Sequence, residues 1–194
     1  MQGGVLLDLG SHALDLLTHL IGYPARVTSR FRTLYAQRPT KSGETERALS
    51  EDHALILMEM PNGALGTVEA SKIATGTNDE FTLELRGTNG ALKWNAMDPN
   101  YVYYYDQTLP ERPLGGLRGF TQIESVQRYP APGGSFLPPK NAIGWDRGHL
   151  HCYFTFLNAI AHGETPENSV FDGARLQKLL ETIREADGKW MEVD

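Results

Sequence analysis

The run His53-Ala54-Leu55-Ile56-Leu57-Met58-Glu59-Met60, the triplet Pro61-Asn62-Gly63 and the run Ala64-Leu65-Gly66-Thr67-Val68-Glu69-Ala70-Ser71-Lys72-Ile73 decide the fold class of this chain. Short runs rich in aliphatic and β-branched residues, bounded by turn-forming residues, read as strands. Asn and Gly tolerate the positive φ that a tight turn demands, so the triplet joins the two runs as a hairpin. The same chemistry recurs at Gly87-Thr88-Asn89-Gly90, between runs at 81–86 and 91–95, and further strands are expected at 26–36 and 101–105. Hairpin follows hairpin, which predicts a mostly antiparallel sheet.

Helices flank this meander. Leu9, Ala13, Leu16, Leu17 and Leu20 recur at helical spacing, and Gly22 with Pro24 supplies a stop, so a first helix is expected over 8–21. A second is expected over 145–162, with Leu150, Tyr153, Phe154, Leu157, Ile160 and Ala161 on one face and Gly163 after it. A third is expected over 172–186, with Leu176, Leu179, Leu180 and Ile183 at intervals of three and four. Between sheet and helices, residues 106–140 carry Pro110, Pro113, Pro130, Pro132, Pro138 and Pro139, a long irregular excursion of the kind that is usually functional or mobile. The order helix, strands, two helices predicts an α+β fold, an open sheet with helices packed on one face, in one domain spanning 1–194.

With 40% hydrophobic and 22% charged residues among 194, the chain has the balance of a soluble globular domain. No run approaches the roughly 18 consecutive apolar residues of a membrane span. The net charge of −6, without a cluster of Lys or Arg, lacks the electrostatic footprint of a nucleic-acid binder. Cys152 is the single cysteine, which excludes an internal disulfide and a thiolate metal cluster; a reducing, cytoplasmic setting is expected, with the thiol packed and inert.

On a regular helix each residue advances about 100°. Taking Asp8 as zero, His12, Asp15 and His19 fall at about 40°, −20° and 20°, a narrow polar stripe opposite the leucines. Such a stripe admits three readings: an acid–base site, a metal site, or the wetted face of an amphipathic helix. The metal reading is the weakest, because the stripe is about 16 Å long at 1.5 Å per residue and no HExxH or Cys/His cluster completes a ligand set. Proton transfer suits Asp8 and His12, since an imidazole takes a hydroxyl proton near neutral pH while a carboxylate orients the ring or the substrate.

The stretch Gly3-Gly4-Val5-Leu6-Leu7-Asp8-Leu9-Gly10-Ser11-His12-Ala13-Leu14-Asp15 resembles the substrate-side helix start of the Gfo/Idh/MocA oxidoreductases, the group of inositol dehydrogenases and glucose–fructose oxidoreductase. The resemblance continues through Glu51-Asp52-His53-Ala54, Gly63 to Ser71, Arg86 to Leu92, Phe156 to Ile160 and Asp172 to Trp190, with 106–140 the least comparable part. It implies a dihydrodipicolinate reductase-like C-terminal domain that binds substrate and forms homo-oligomers through its sheet. It further implies an N-terminal Rossmann domain that binds NAD or NADP and supplies a lysine, the substrate being a secondary alcohol of a sugar, inositol or related polyol. By motif position His12 is the implied acid–base catalyst and Asp8 its substrate-orienting partner.

No Gly-x-Gly-x-x-Gly follows a strand and no Glu-Lys-Pro occurs in the chain, so no cofactor is expected on it and it should not turn over alone. Asp15, His149 and Lys72 are further candidate substrate contacts. For His149, beside Trp145 and Asp146, the plainer role is a packed or capping histidine; Lys72 follows Ser71 at a strand end. The tyrosines 101, 103, 104 and 105 read as sheet packing or an interface before they read as a sugar platform. Two rival functions share the fold: an NAD-dependent glycosidase, and a non-catalytic sugar-binding sensor or scaffold.

Overall fold

A computed structural model describes residues 3–113, 116–126, 131 and 140–193. The chain divides into two compact units, Met1–Gly76 with Asn168–Asp194, and Thr77–Glu167.

In the first unit a π-helical segment, Leu6–Gly10, runs directly into α1, Ser11–Ile21. The strands β1 (Arg26–Arg32), β4 (His53–Glu59) and β5 (Leu65–Ser71) pair antiparallel, and β10 (Met191–Glu192) lies on the outer edge of β1, giving the order β10-β1-β4-β5. A small hairpin of β2 (Gln37–Pro39) and β3 (Thr45–Arg47) stands between β1 and β4 in sequence. The two-residue period of β4 sends Ala54, Ile56 and Met58 inward and leaves Leu55 and Leu57 42% exposed. Register stacks the inward rows, with Ile56 opposite Ser29 on one side and Val68 on the other.

Helices cover that inner face. Leu14 and Leu17 of α1, Val5 and Leu6 just before it, and Leu179, Leu180 and Ile183 of α3 (Val170–Glu185) join the strand residues in one core. Ser29, buried in β1, donates through its hydroxyl to the Ile183 carbonyl at 2.6 Å, so the polar atom facing the helix is satisfied. Helix α3 starts two residues earlier than its apolar period predicts. Ser169 and Asp172 form a capping box there: the Asp172 carboxylate accepts from the Ser169 backbone N–H at 2.8 Å, which fixes the first turn ahead of the leucines.

The expected strand over 26–36 stops at Arg32. Asp52, 2% exposed, explains the stop: its carboxylate accepts from the backbone N–H of Leu34 at 2.9 Å and of Tyr35 at 2.9 Å, with Arg38 at 3.5 Å. Burial acts to raise this carboxyl's pKa, but the two amide donors and Arg38 outweigh it and hold the group ionised below the usual carboxylate range. A depressed folded-state pKa contributes stability above the unfolded value and loses it as pH falls through the folded one. Asp52→Ala should destabilise by about 1–3 kcal/mol at neutral pH, the range for buried donors left unsatisfied. The gap to wild type should narrow in acid, as read by urea unfolding at a series of pH values.

In the second unit β6 (Thr82–Arg86), β7 (Gly90–Asn95), β8 (Tyr101–Asp106) and β9 (Phe120–Glu124) form an antiparallel meander, followed by α2, Trp145–His162. Gly90 sits where a side chain is excluded, since a Cβ there would fall 2.5 Å from the Tyr105 carbonyl on the next strand. The strands thus belong to two four-stranded sheets and the β2–β3 ribbon, where a single sheet was expected; the α+β class and antiparallel pairing stand. Strand β9 interrupts the excursion expected to be irregular over 106–140; residues 114–115, 127–130 and 132–139 of it lie outside the described residues.

Helix α2 keeps its expected bounds, ending at Gly163 in the left-handed conformation. It inverts the expected burial: Tyr153 and Leu157 are 68% and 62% exposed, while Arg147 and Ala159 are buried. Cys152, expected to be packed, is exposed with them. Periodicity reports that a helix has two faces and leaves open which one its own unit covers.

Candidate functional site

The site is built at the entry to α1. The Val5 N–H donates to the Glu51 carbonyl at 3.1 Å and the Leu6 N–H to the Glu51 carboxylate at 3.1 Å, so one residue at the head of β4 holds the first amides of the π segment. These are amides a helix start leaves without intrahelical partners. Gly4 is required by this clamp, because a Cβ there would overlap the Glu51 carboxylate and push it off Leu6. At the other end Gly10 lies against β5, where a Cβ would come 3.2 Å from Leu6 Cδ1 and 3.7 Å from Ala70 Cβ. The two contacts set the segment on the β4–β5 hairpin at fixed height.

Asp8 projects from the middle of that segment with its side chain 58% exposed. Lys72, one residue past the end of β5, reaches it with Nζ 2.5 Å from Oδ2. The lysine's backbone is itself fixed, its N–H donating to the Asp52 carbonyl at 2.9 Å, and the Ser71 hydroxyl accepts from the Ile73 N–H at 3.2 Å to turn the chain away. The Lys72 ammonium, by hydrogen bond and by charge, holds the Asp8 carboxyl below its usual range; slight burial opposes this, and His12 adds a smaller effect in the same direction.

His12, the second residue of α1, is exposed and near enough to act on Asp8 electrostatically. Asp15 and His19 are exposed further along the helix. The regular 100° projection does not hold across the pair, because a π segment turns more widely than 3.6 residues and Asp8 lies inside one. Both groups nonetheless reach solvent. Of the remaining candidates, Lys72 joins Asp8 directly. His149 belongs to the second unit, on α2, where its ring packs edge-on against Trp145 with centroids 5.0 Å apart. Glu51, whose clamp positions Asp8, escaped the sequence reading as a site residue; its signal was the acid pair Glu51-Asp52 immediately before a strand.

This arrangement offers a carboxylate acceptor, an imidazole and an ammonium on one open face, a set able to hold hydroxyl groups and move one proton. Among the described residues no glycine-rich turn leads from a strand into a helix, and Gly10, at the start of α1, is buried against Leu6 and Ala70 rather than open to a pyrophosphate.

Residues 1–93 match the family described as the GFO/IDH/MocA C-terminal domain. Levoglucosan dehydrogenase from Pseudarthrobacter phenanthrenivorans is 26% identical over 207 residues, covering 98% of this chain and 52% of that protein. An oxidoreductase domain protein from Kribbella flavida superposes with a TM-score of 0.88 at 29% identity, covering 99% of this chain and 52% of that one. A levoglucosan dehydrogenase structure in complex with NADH and L-sorbose does so with a TM-score of 0.88 at 26% identity, covering 99% and 50%. The chain therefore spans about half the length of that dehydrogenase. Its α+β fold, the motif around Asp8 and His12 and the match over 1–93 agree, and the chain is similar to C-terminal domains of the Gfo/Idh/MocA oxidoreductases.

Proposed function

We propose that this chain is the substrate-binding half of an NAD(P)-dependent oxidoreductase that acts on a secondary alcohol of a sugar, inositol or related polyol. The observation that carries the reading is the exposure of Asp8 and His12 together at the clamped start of α1. Similarity to a dehydrogenase whose structure holds NADH and a sugar supports it.

In the forward direction the substrate O–H proton passes to the His12 imidazole, and the hydrogen on the same carbon leaves with its electron pair, so that the alcohol becomes a ketone. The oxidised nicotinamide supplies the hydride acceptor when bound, and the part of the protein outside this chain would hold it. Asp8, kept ionised, accepts from a substrate hydroxyl and fixes the sugar's orientation; Asp15, about two turns further along, is a secondary contact. Removing the hydroxyl proton as the hydride leaves avoids building positive charge on the carbonyl oxygen, which is why a base within hydrogen-bond reach lowers the barrier.

The reading extends to partners. Leu55, Leu57 and Leu65 on the outward face of β4 and β5 offer an apolar surface for pairing with a second copy through the sheet. The apolar arc of α2 offers a surface for the rest of the protein. No helix among the described residues is long and apolar enough to cross a membrane, and the single cysteine is free; we place the protein in the cytoplasm.

The test is a full-length protein containing this half, assayed with NAD and NADP against sugars and polyols deuterated at carbon. Transfer of deuterium to the nicotinamide is the expected outcome. Binding without transfer across the panel would favour a sensor, and release of sugar from glycosides without net cofactor reduction would favour a glycosidase.

A further inference from the structure

We propose that Lys72 is a positioning residue of this site: it grips Oδ2 of Asp8, fixes the carboxylate's orientation and leaves the other oxygen to accept from a substrate hydroxyl. This rests on the alcohol-oxidising reading above and assigns how Asp8 is held within it.

Stability gives little reason for the pair. Asp8 and Lys72 are 58% and 45% exposed, and ion pairs between such groups contribute almost nothing to folding in the median case. Yet both ends are placed with care. Asp8 is held by the Glu51 clamp and by the close approach of Gly10 to Ala70; Lys72 is held by its own amide on the Asp52 carbonyl, at the end of the strand that carries Ala70. The contact is direct, with Nζ 2.5 Å from Oδ2. Among the described residues no hydrogen bond engages Oδ1 of Asp8, so one acceptor oxygen stays available.

The chemical consequence follows from having two ionisable groups on one site. A carboxyl that titrates freely is a donor when protonated and an acceptor when ionised, and its substrate contact changes sign with pH. An ammonium held against it by hydrogen bond and charge keeps the carboxylate in its acceptor state to lower pH.

Two measurements test this. In the present chain, carbon-detected NMR titration of the Asp8 carboxyl should give a midpoint below the ordinary aspartate range, Lys72→Met should raise it into that range, and Lys72→Arg should keep it low. In a full-length protein containing this half, Lys72→Met should lower kcat/KM by about tenfold or more, the scale of a lost charge-assisted hydrogen bond, with KM raised as well as kcat lowered, while Lys72→Arg restores most of the loss. An Asp8 midpoint indifferent to Lys72→Met overturns the proposal, as does a kcat/KM that stays at the wild-type value although the midpoint moves. Absence of turnover in the wild-type full-length protein on every alcohol would refute the oxidoreductase reading instead, and the NMR titration distinguishes the two failures because it needs no catalysis.

Discussion

His12→Ala, in a full-length protein that contains this half, should lower kcat by about 10² to 10⁴-fold, the contribution typical of a positioned general base. The substitution removes the imidazole proposed to take the hydroxyl proton, while the Asp8 carboxylate, held below the usual range by Lys72, is a weaker base. Its fold cost should be small, because the side chain is exposed and Ala is a better helix former than His. Activity and stability therefore separate: steady-state kinetics should collapse while thermal unfolding of the variant stays close to wild type. Asp8→Ala should act on both kcat and KM, as expected for a group that fixes orientation more than it moves protons.

The second large effect concerns the scaffold. Ile56 is fully buried in β4, in the row with Ser29 and Val68, and belongs to the core beneath α1 and α3. Ile56→Ala should destabilise the chain by about 2–5 kcal/mol through lost apolar burial and the cavity left behind. Its neighbour Leu57 points to the opposite face and is 42% exposed, so Leu57→Ala should cost well under half as much in the same urea titration. Equal losses at the two positions would contradict the register described for β4.

The hairpin carrying Ile56 was legible from the start. Residues 53–60 and 64–73 are rich in aliphatic and β-branched residues and flank Asn62-Gly63, and the strands formed within a residue or two of those limits. Local chemistry of that kind needs no tertiary information. Where residues far apart in sequence decide the outcome, the reading stopped short. The end of β1 at Arg32 is set by Asp52 in this way; the early start of α3 is local, a Ser169–Asp172 box that a search for apolar period passes over. Helix α2 shows the limit most plainly: Leu150, Tyr153, Leu157 and Ile160 mark an apolar face in sequence, yet they are exposed in the fold.

At the site, Asp8 and His12 were legible as a motif, and Lys72 only as a cation at a strand end. Contact between Asp8 and Lys72 depends on where β5 delivers its last residue relative to the π segment, a matter of packing between Gly10 and Ala70. The π segment itself was invisible to a projection that assumes 3.6 residues per turn. Such segments are found frequently at functional sites.

The most direct test of the account is a crystal structure of a full-length protein containing this half, with nicotinamide cofactor and a polyol that it oxidises. The reacting hydroxyl should lie about 2.6–3.2 Å from a His12 ring nitrogen, with a hydroxyl of the same molecule on Asp8. A productive complex whose reacting hydroxyl is served by another base, with His12 turned to solvent, would contradict it.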